Sequence, residues 1–178
     1  MRESGSLSRY LPDAAATRRA GAALARALGV LDAPDGDPAR PSAGASRGVF
    51  VTLAGELGTG KTTLVRGLLE ALGVAGPVRS PTFTLLESYA AGLRQVDHLD
   101  WYRLGGAGDL EALDFRELLA AGHWVLVEWP ERMPEVAAAA DLAVRLHYED
   151  SGRRLEIVPM TEQGRVVSAA LAADRTLG

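Results

Sequence analysis

Eight consecutive residues, Gly55-Glu56-Leu57-Gly58-Thr59-Gly60-Lys61-Thr62, have the pattern G-x-x-x-x-G-K-[ST], the spacing of a loop whose backbone amides close around a phosphate. Nineteen residues are Lys or Arg, and Lys61 is the only lysine among them. A chain that uses arginine for every other positive charge keeps an ammonium where a planar guanidinium would not fit between a ring of amides and a phosphate. With this composition the pattern arises by chance in roughly one shuffled chain in a thousand. The glycines let consecutive N–H groups converge at the positive end of the following helix. Lys61 then neutralises β- and γ-phosphates, and the Thr62 hydroxyl is placed to ligate magnesium. The expected nucleotide-binding segment is Glu56, Leu57, Gly58, Thr59, Gly60, Lys61, Thr62 and Thr63.

A magnesium-nucleotide site also needs carboxylates to hold the metal and orient an attacking water. Glu128 follows the apolar run Val125-Leu126-Val127, which puts it at the C-terminal edge of a strand, where open α/β sheets bind ligands. Asp100 closes His98-Leu99-Asp100; the two-residue period of a strand sets it on the face of His98 and turns Asp97 to the other. Spacing alone divides Asp100 evenly between a metal or switch role and a backbone cap. His98 reads as structural, because nothing nearby completes a zinc site. Ser80-Pro81-Thr82 lies where a segment sensing the γ-phosphate would sit, or is a strand-entry turn, with Ser80 and Thr82 the switch-like residues. Trp129, beside Pro130, is either core packing or an aromatic anchor for a partner.

The elements that must position these groups follow from the pattern of apolar residues. Val49–Leu53 is a buried strand and Thr62–Leu72 a helix ended by Gly73, so strand, loop and helix come in the order a phosphate loop requires. An alanine-rich helix starts at Pro12-Asp13, capped by Asp13, and ends near Leu28 with Gly29 as terminator. Residues 32–47 are Pro, Asp, Gly and Ser with hardly an apolar side chain, the composition of a solvated, mobile linker. Val78 to Thr82 is extended, and strands Phe83–Tyr89 and Leu93–Asp100 form a hairpin around Ala90-Ala91-Gly92. A loop over Trp101–Gly108, a helix over Asp109–Leu119 and a strand Trp124–Val127 lead into Glu128. Strands Leu142–Tyr148 and Leu155–Pro159 flank the turn Glu149-Asp150-Ser151-Gly152, and a helix Glu162–Ala173 closes the chain. The fold class expected is α/β, a three-layer sandwich of the P-loop NTPase kind around a mixed sheet, with residues 1–178 forming one domain.

At 178 residues and 47% hydrophobic content the chain can bury an adequate core unaided. It has no cysteine, so disulfides, thiolate catalysis and thiolate metal sites are excluded. Its first residues lack the apolar core of a secretory signal, and no apolar run is long enough to span a membrane; a soluble cytoplasmic protein is expected. A formal net charge of −4 argues against the chain gripping a polyanion by itself.

Four blocks, Gly-Glu-Leu-Gly-Thr-Gly-Lys-Thr-Thr (55–63), Ser-Pro-Thr-Phe-Thr-Leu (80–85), His-Leu-Asp-Trp-Tyr-Arg-Leu (98–104) and Val-Glu-Trp-Pro-Glu (127–131), come in the order and spacing of the TsaE (YjeE) family, which the chain resembles over roughly residues 48 to 160. The resemblance implies a small ATPase that works with TsaD and TsaB to place the N6-threonylcarbamoyl group on adenosine 37 of tRNAs reading ANN codons, TsaD making the transfer. It implies ATP and Mg2+ as cofactors, Lys61, Thr62 and Thr63 for phosphate and metal, Asp100 for metal and activity, Glu128 near metal and water, and tRNA met only through the partners. Trp101 stands where the family has an aliphatic residue and Leu99 where it has a bulkier aromatic, and the 32–47 segment is long for the family. The enzymatic rival is a small-molecule kinase, but the chain shows no arginine-rich lid: Arg153 and Arg154 fall in a short turn, and Gly105-Gly106-Ala107-Gly108 has no basic cluster. A GTPase switch would need Asn-Lys-x-Asp to read guanine, and the chain has no asparagine.

Overall fold

A computed structural model describes residues 5–32, 48–76, 78, 81, 84–92, 94–103 and 115–177. Seven strands form one sheet: β1 (Leu7–Leu11), β2 (Val49–Ala54), β3 (Leu86–Ala91), β4 (Arg94–Asp100), β5 (Trp124–Glu128), β6 (Leu142–Glu149) and β7 (Gly152–Pro159). Their order across the sheet is β1-β7-β6-β2-β5-β4-β3. The centre is parallel, with β2 between β5 and β6 and β4 beside β5, while β3, β7 and β1 join antiparallel. The expected mixed α/β sheet is present. Chain connections run from β2 to one side and later return to the other, so the end of β2 is a switch point of the topology, the crevice where such sheets bind ligands.

The helices are α1 (Ala14–Gly29), α2 (Lys61–Ala71), α3 (Phe115–Ala120), the single turn α4 (Pro134–Ala137) and α5 (Glu162–Ala173). The sheet separates two cores. Val49, Val51 and Leu53 of β2, Val96 of β4, and Trp124 and Leu126 of β5 pack with Leu24, Leu28, Leu64, Leu68 and Val167 from α1, α2 and α5. On the opposite face Phe50, Leu99, Val125 and Val127 pack with Trp101, Phe115 and Met133. Trp101 is fully buried, its ring 6.1 Å from Phe50 and 5.9 Å from Phe115. The unusual Trp101 and Leu99 therefore fill this second core, on the far side of the sheet from the Asp100 carboxylate.

Asp13 caps α1, its side chain accepting from the Ala16 amide at 2.6 Å. Gly29 is not a left-handed terminator: α1 includes it and tightens into a 3-10 turn, Val30–Asp32. Gly73 is one, with φ of 79°, just past α2. Helices α1 and α2 meet at a glycine seam. A Cβ on Gly21 would lie 2.0 Å from the Leu64 carbonyl oxygen, and one on Gly67 would lie 2.1 Å from that of Arg18.

Strand β1 went unforeseen; it is a five-residue edge strand that only β7 pairs. The hairpin turns are tighter than expected. Ala90 and Ala91 belong to β3, with Gly92 at φ 64°, and the second turn is only Asp150-Ser151, because Arg153 and Arg154 are strand residues paired to Tyr148 and His147. The C-terminal helix has the expected limits and is capped by Thr161, which accepts from the Gly164 amide. Except for Asp32, the expected linker falls outside the described residues, as do Ser80, Thr82 and the expected helix before Phe115.

Candidate nucleotide site

The phosphate loop leaves β2 at Ala54 and enters α2 at Lys61. Gly60, the residue before the helix, has φ of 108°, and Gly58 has φ of 80°; these are conformations an L side chain rarely adopts, which is why the pattern demands glycine there. Thr59 is buried and turned inward, its hydroxyl donating to the Glu56 carbonyl at 2.9 Å. Glu56 and Leu57 form the exposed rim, with Leu57 84% exposed. Thr63 is half-buried in the first turn of α2.

Lys61 is only 5% exposed. Its ammonium donates to the carbonyls of Gly55 (2.7 Å) and Glu56 (3.1 Å) and lies 4.1 Å above the centre of the Trp129 ring. Trp129 takes a left-handed conformation at the end of β5, with φ 63° and ψ 52°, and its amide donates to the Leu53 carbonyl. Its indole is half-buried and stacks tilted against Tyr102, with centroids 5.1 Å apart. The core-packing alternative holds in part, since Trp129 packs against the second core, and the ring is also a wall of the lysine's pocket, where it makes a cation–π contact.

Parity of the strands brings the acids to the same pocket. Asp100 and Glu128 are register partners at the ends of β4 and β5, and Leu53 of β2 is level with Glu128. Like His98, both carboxylates are buried. Glu128 Oε1 accepts from the Thr62 hydroxyl at 2.9 Å and lies 3.0 Å from His98 Nε2. An ionised carboxylate only accepts, so His98 donates from Nε2; its buried Nδ1 has no hydrogen-bond partner. His98, read from sequence as structural, is thus a direct neighbour of the expected site, and its position two before Asp100 on one strand face was the signal. Asp100 Oδ1 accepts from the Tyr102 amide at 2.9 Å. Asp97 faces away, bonded to Ser88 and 2.6 Å from His123.

Burial pushes the Lys61 ammonium's pKa down, partly offset by the charges of Glu128, Glu131 and Asp100. Burial also opposes ionisation of Glu128, but the hydrogen bond and charge of His98, the Thr62 hydroxyl and Lys61 outweigh it, and its pKa is lowered. Burial raises Asp100; the Tyr102 amide counters it and the Glu128 charge adds to it. No three His, Cys, Asp or Glu side chains form a metal cage among the described residues. A hydroxyl with one or two carboxylates is instead the sparse oxygen set that suits magnesium, which keeps waters and phosphate oxygens for the rest of its shell. Thr62, Glu128 and Asp100 could supply it. The arrangement can hold a polyphosphate on amides and one ammonium, with hard oxygen donors and a carboxylate base at its end.

Sequence reasoning also passed over the β6–β7 side of the loop. The Tyr148 hydroxyl donates to the Leu57 carbonyl at 3.1 Å, and a Cβ on Gly58 would meet that hydroxyl at 2.8 Å. Only the three-dimensional pairing of β6 next to β2 reveals this.

The family model described as "Threonylcarbamoyl adenosine biosynthesis protein TsaE" matches residues 11–155. A Haemophilus influenzae protein named tRNA threonylcarbamoyladenosine biosynthesis protein TsaE is 33% identical over 167 residues, spanning 94% of this chain and 98% of its own. A Streptomyces coelicolor protein of the same name is 44% identical over 103 residues, 56% of this chain and 68% of its own. The crystal structure of Bacillus subtilis YdiB has the same fold, with a TM-score of 0.69 at 24% identity over 94% of each chain.

Proposed function

The chain belongs to the TsaE family, and from that premise we propose that it is a magnesium-dependent ATPase, required with TsaD and TsaB for the threonylcarbamoylation of adenosine 37 in ANN-decoding tRNAs. The observation that carries the ATPase reading is the contact of Thr62 with Glu128, 2.9 Å apart, beside the buried ammonium of Lys61. The amides from Gly58 to Thr63 and Lys61 bind the β- and γ-phosphates. Magnesium, when bound, neutralises charge developing on the phosphate oxygens. Thr62, Glu128 and Asp100 are the residues that would hold it. Glu128, kept ionised by His98 and Thr62, accepts a hydrogen bond from the attacking water and orients it. Trp129 and Tyr102 shield the lysine's side of the pocket from bulk solvent.

A net charge of −4 fits a chain that meets tRNA only through its partners. No helix among the described residues is long and apolar enough to cross a membrane; the reading places the chain in the cytoplasm, acting as one ATPase domain. Reconstituted threonylcarbamoyl transfer to tRNA, with TsaD and TsaB and with or without this chain and ATP, tests it. Sustained modification is expected only when both are present; equal turnover without the chain refutes the reading.

A further inference from the structure

Arg153 stands out among the arginines of the described residues for a buried donor that has no partner. Arg154 bonds Glu149, Arg26 bonds Asp174 and Arg94 bonds Asp32. Arg153 makes no ion pair among the described residues, and its Nε is buried without a hydrogen-bond partner. A buried guanidinium N–H left unpaired is costly, so a native position that keeps one calls for an explanation. The side chain is half-buried and runs alongside the loop: a Cβ built on Gly60 would lie 3.4 Å from Arg153 Nε, 3.7 Å from its Cδ and 3.3 Å from Thr17. The Nε donor therefore sits beside the residue that precedes α2, where the amides converge.

The sheet order says which part of the ligand this donor faces. Thr62's partner Glu128 and its register neighbour Asp100 end β5 and β4, on one side of β2. Arg153 is the second residue of β7, beyond β6 on the other side, paired with Tyr148 and with Leu11 of β1. A nucleotide whose γ-phosphate and metal lie toward β4 and β5 must lead its α-phosphate and nucleoside toward β6, β7 and the start of α1. We propose that Arg153 is a nucleotide-binding residue that donates to the α-phosphate, a second cation at the opposite end of the phosphate chain from the metal. This rests on reading the loop as an ATP site. Arg153 is a binding residue here and takes no part in the hydrolytic step.

The test is calorimetric titration of ATP and ADP, with magnesium, into wild type, Arg153→Met and Arg153→Lys. Methionine keeps much of the aliphatic stem that packs beside Gly60 and removes the charge. The Met variant should lose about tenfold or more in affinity, by the same factor for ATP and ADP, with its melting temperature unchanged; the Lys variant should recover part of the loss. The affinity of wild type should also fall more steeply with salt than that of the Met variant. Affinity within twofold of wild type in a folded Met variant overturns the proposal, and so does a loss confined to ATP, which would move the contact to the γ-phosphate. Wild type binding neither nucleotide would instead sink the ATP-site reading itself.

Discussion

At the scale of single residues, the pocket is held together by exchangeable hydrogen bonds. Lys61 bonds two carbonyls of its own loop, and Thr62 bonds Glu128; phosphate and magnesium would replace these partners without rebuilding the backbone. Lys61→Ala should lower ATP affinity by about a hundredfold or more in calorimetry. Lys61→Arg should fail as well, because the ammonium is enclosed by carbonyls and the Trp129 ring, with no room for a planar fork. Glu128→Gln should keep ATP binding within a few-fold and cut phosphate release by about a hundredfold or more. Asp100→Asn should do likewise, whereas Asp97→Asn, on the other strand face, should retain turnover; the reverse order in a phosphate-release assay would refute the facing argument. Asp100 also carries a pH signature. Its folded pKa is raised by burial, so the folded state binds the extra proton and stability from this group falls as pH rises through the interval above 3.8. In nucleotide- and magnesium-free protein, Asp100→Asn should therefore melt higher than wild type at neutral pH, with the gap closing on acidification. A gap that widens below pH 5 would contradict that sign.

At the scale of elements, the phosphate loop and the strand before Glu128 were legible because each is a local pattern: an apolar β-branched run, then residues whose types the backbone or the chemistry dictates. The two-residue strand period separated Asp97 from Asp100 correctly. The same rule placed His98 with Asp100, but spacing within one strand could not reveal that β5 brings Glu128 to within 3.0 Å of it. Strand β1 was hidden for a related reason. Leu7 and Leu11 are four apart, with Arg9 between them, and only pairing with Ile157 and Arg153 makes the segment a strand. Arg153 and Arg154 read as turn residues because their charges mask a strand that β1 and β6 enforce from both sides. Helix packing supplies its own test. Gly21→Ala would drive a methyl to 2.0 Å from the Leu64 carbonyl and should cost about 1–3 kcal/mol, seen as a lower denaturation midpoint. Gly29→Ala, with nothing within 4 Å of the new methyl, should be neutral or slightly stabilising.

At the scale of the whole molecule, an acidic chain with a phosphate site should be a weak ATPase alone and should associate with the TsaD–TsaB pair in a nucleotide-dependent way. Size-exclusion chromatography with ATP or a non-hydrolysable analogue should give a co-eluting complex that is lost without nucleotide, while the isolated chain should not retain tRNA at physiological salt. Tight tRNA binding by the chain alone would reverse that picture. The glycine seam bears on how such a nucleotide message travels. With Gly21 against Leu64 and Gly67 against Arg18, α1 and the helix that begins at Lys61 have no slack between them and behave as a single slab. The other end of the pocket is less enclosed: Trp129, in a left-handed backbone conformation, is half-buried, and Tyr102 is 56% exposed. The seam thus makes the transmission one-sided: amide exchange should slow on nucleotide binding around residues 100–103 and 129–133 and hardly change along α1 beyond its first turn, and a partner that reads the bound state reads it at the C-terminal ends of β4 and β5.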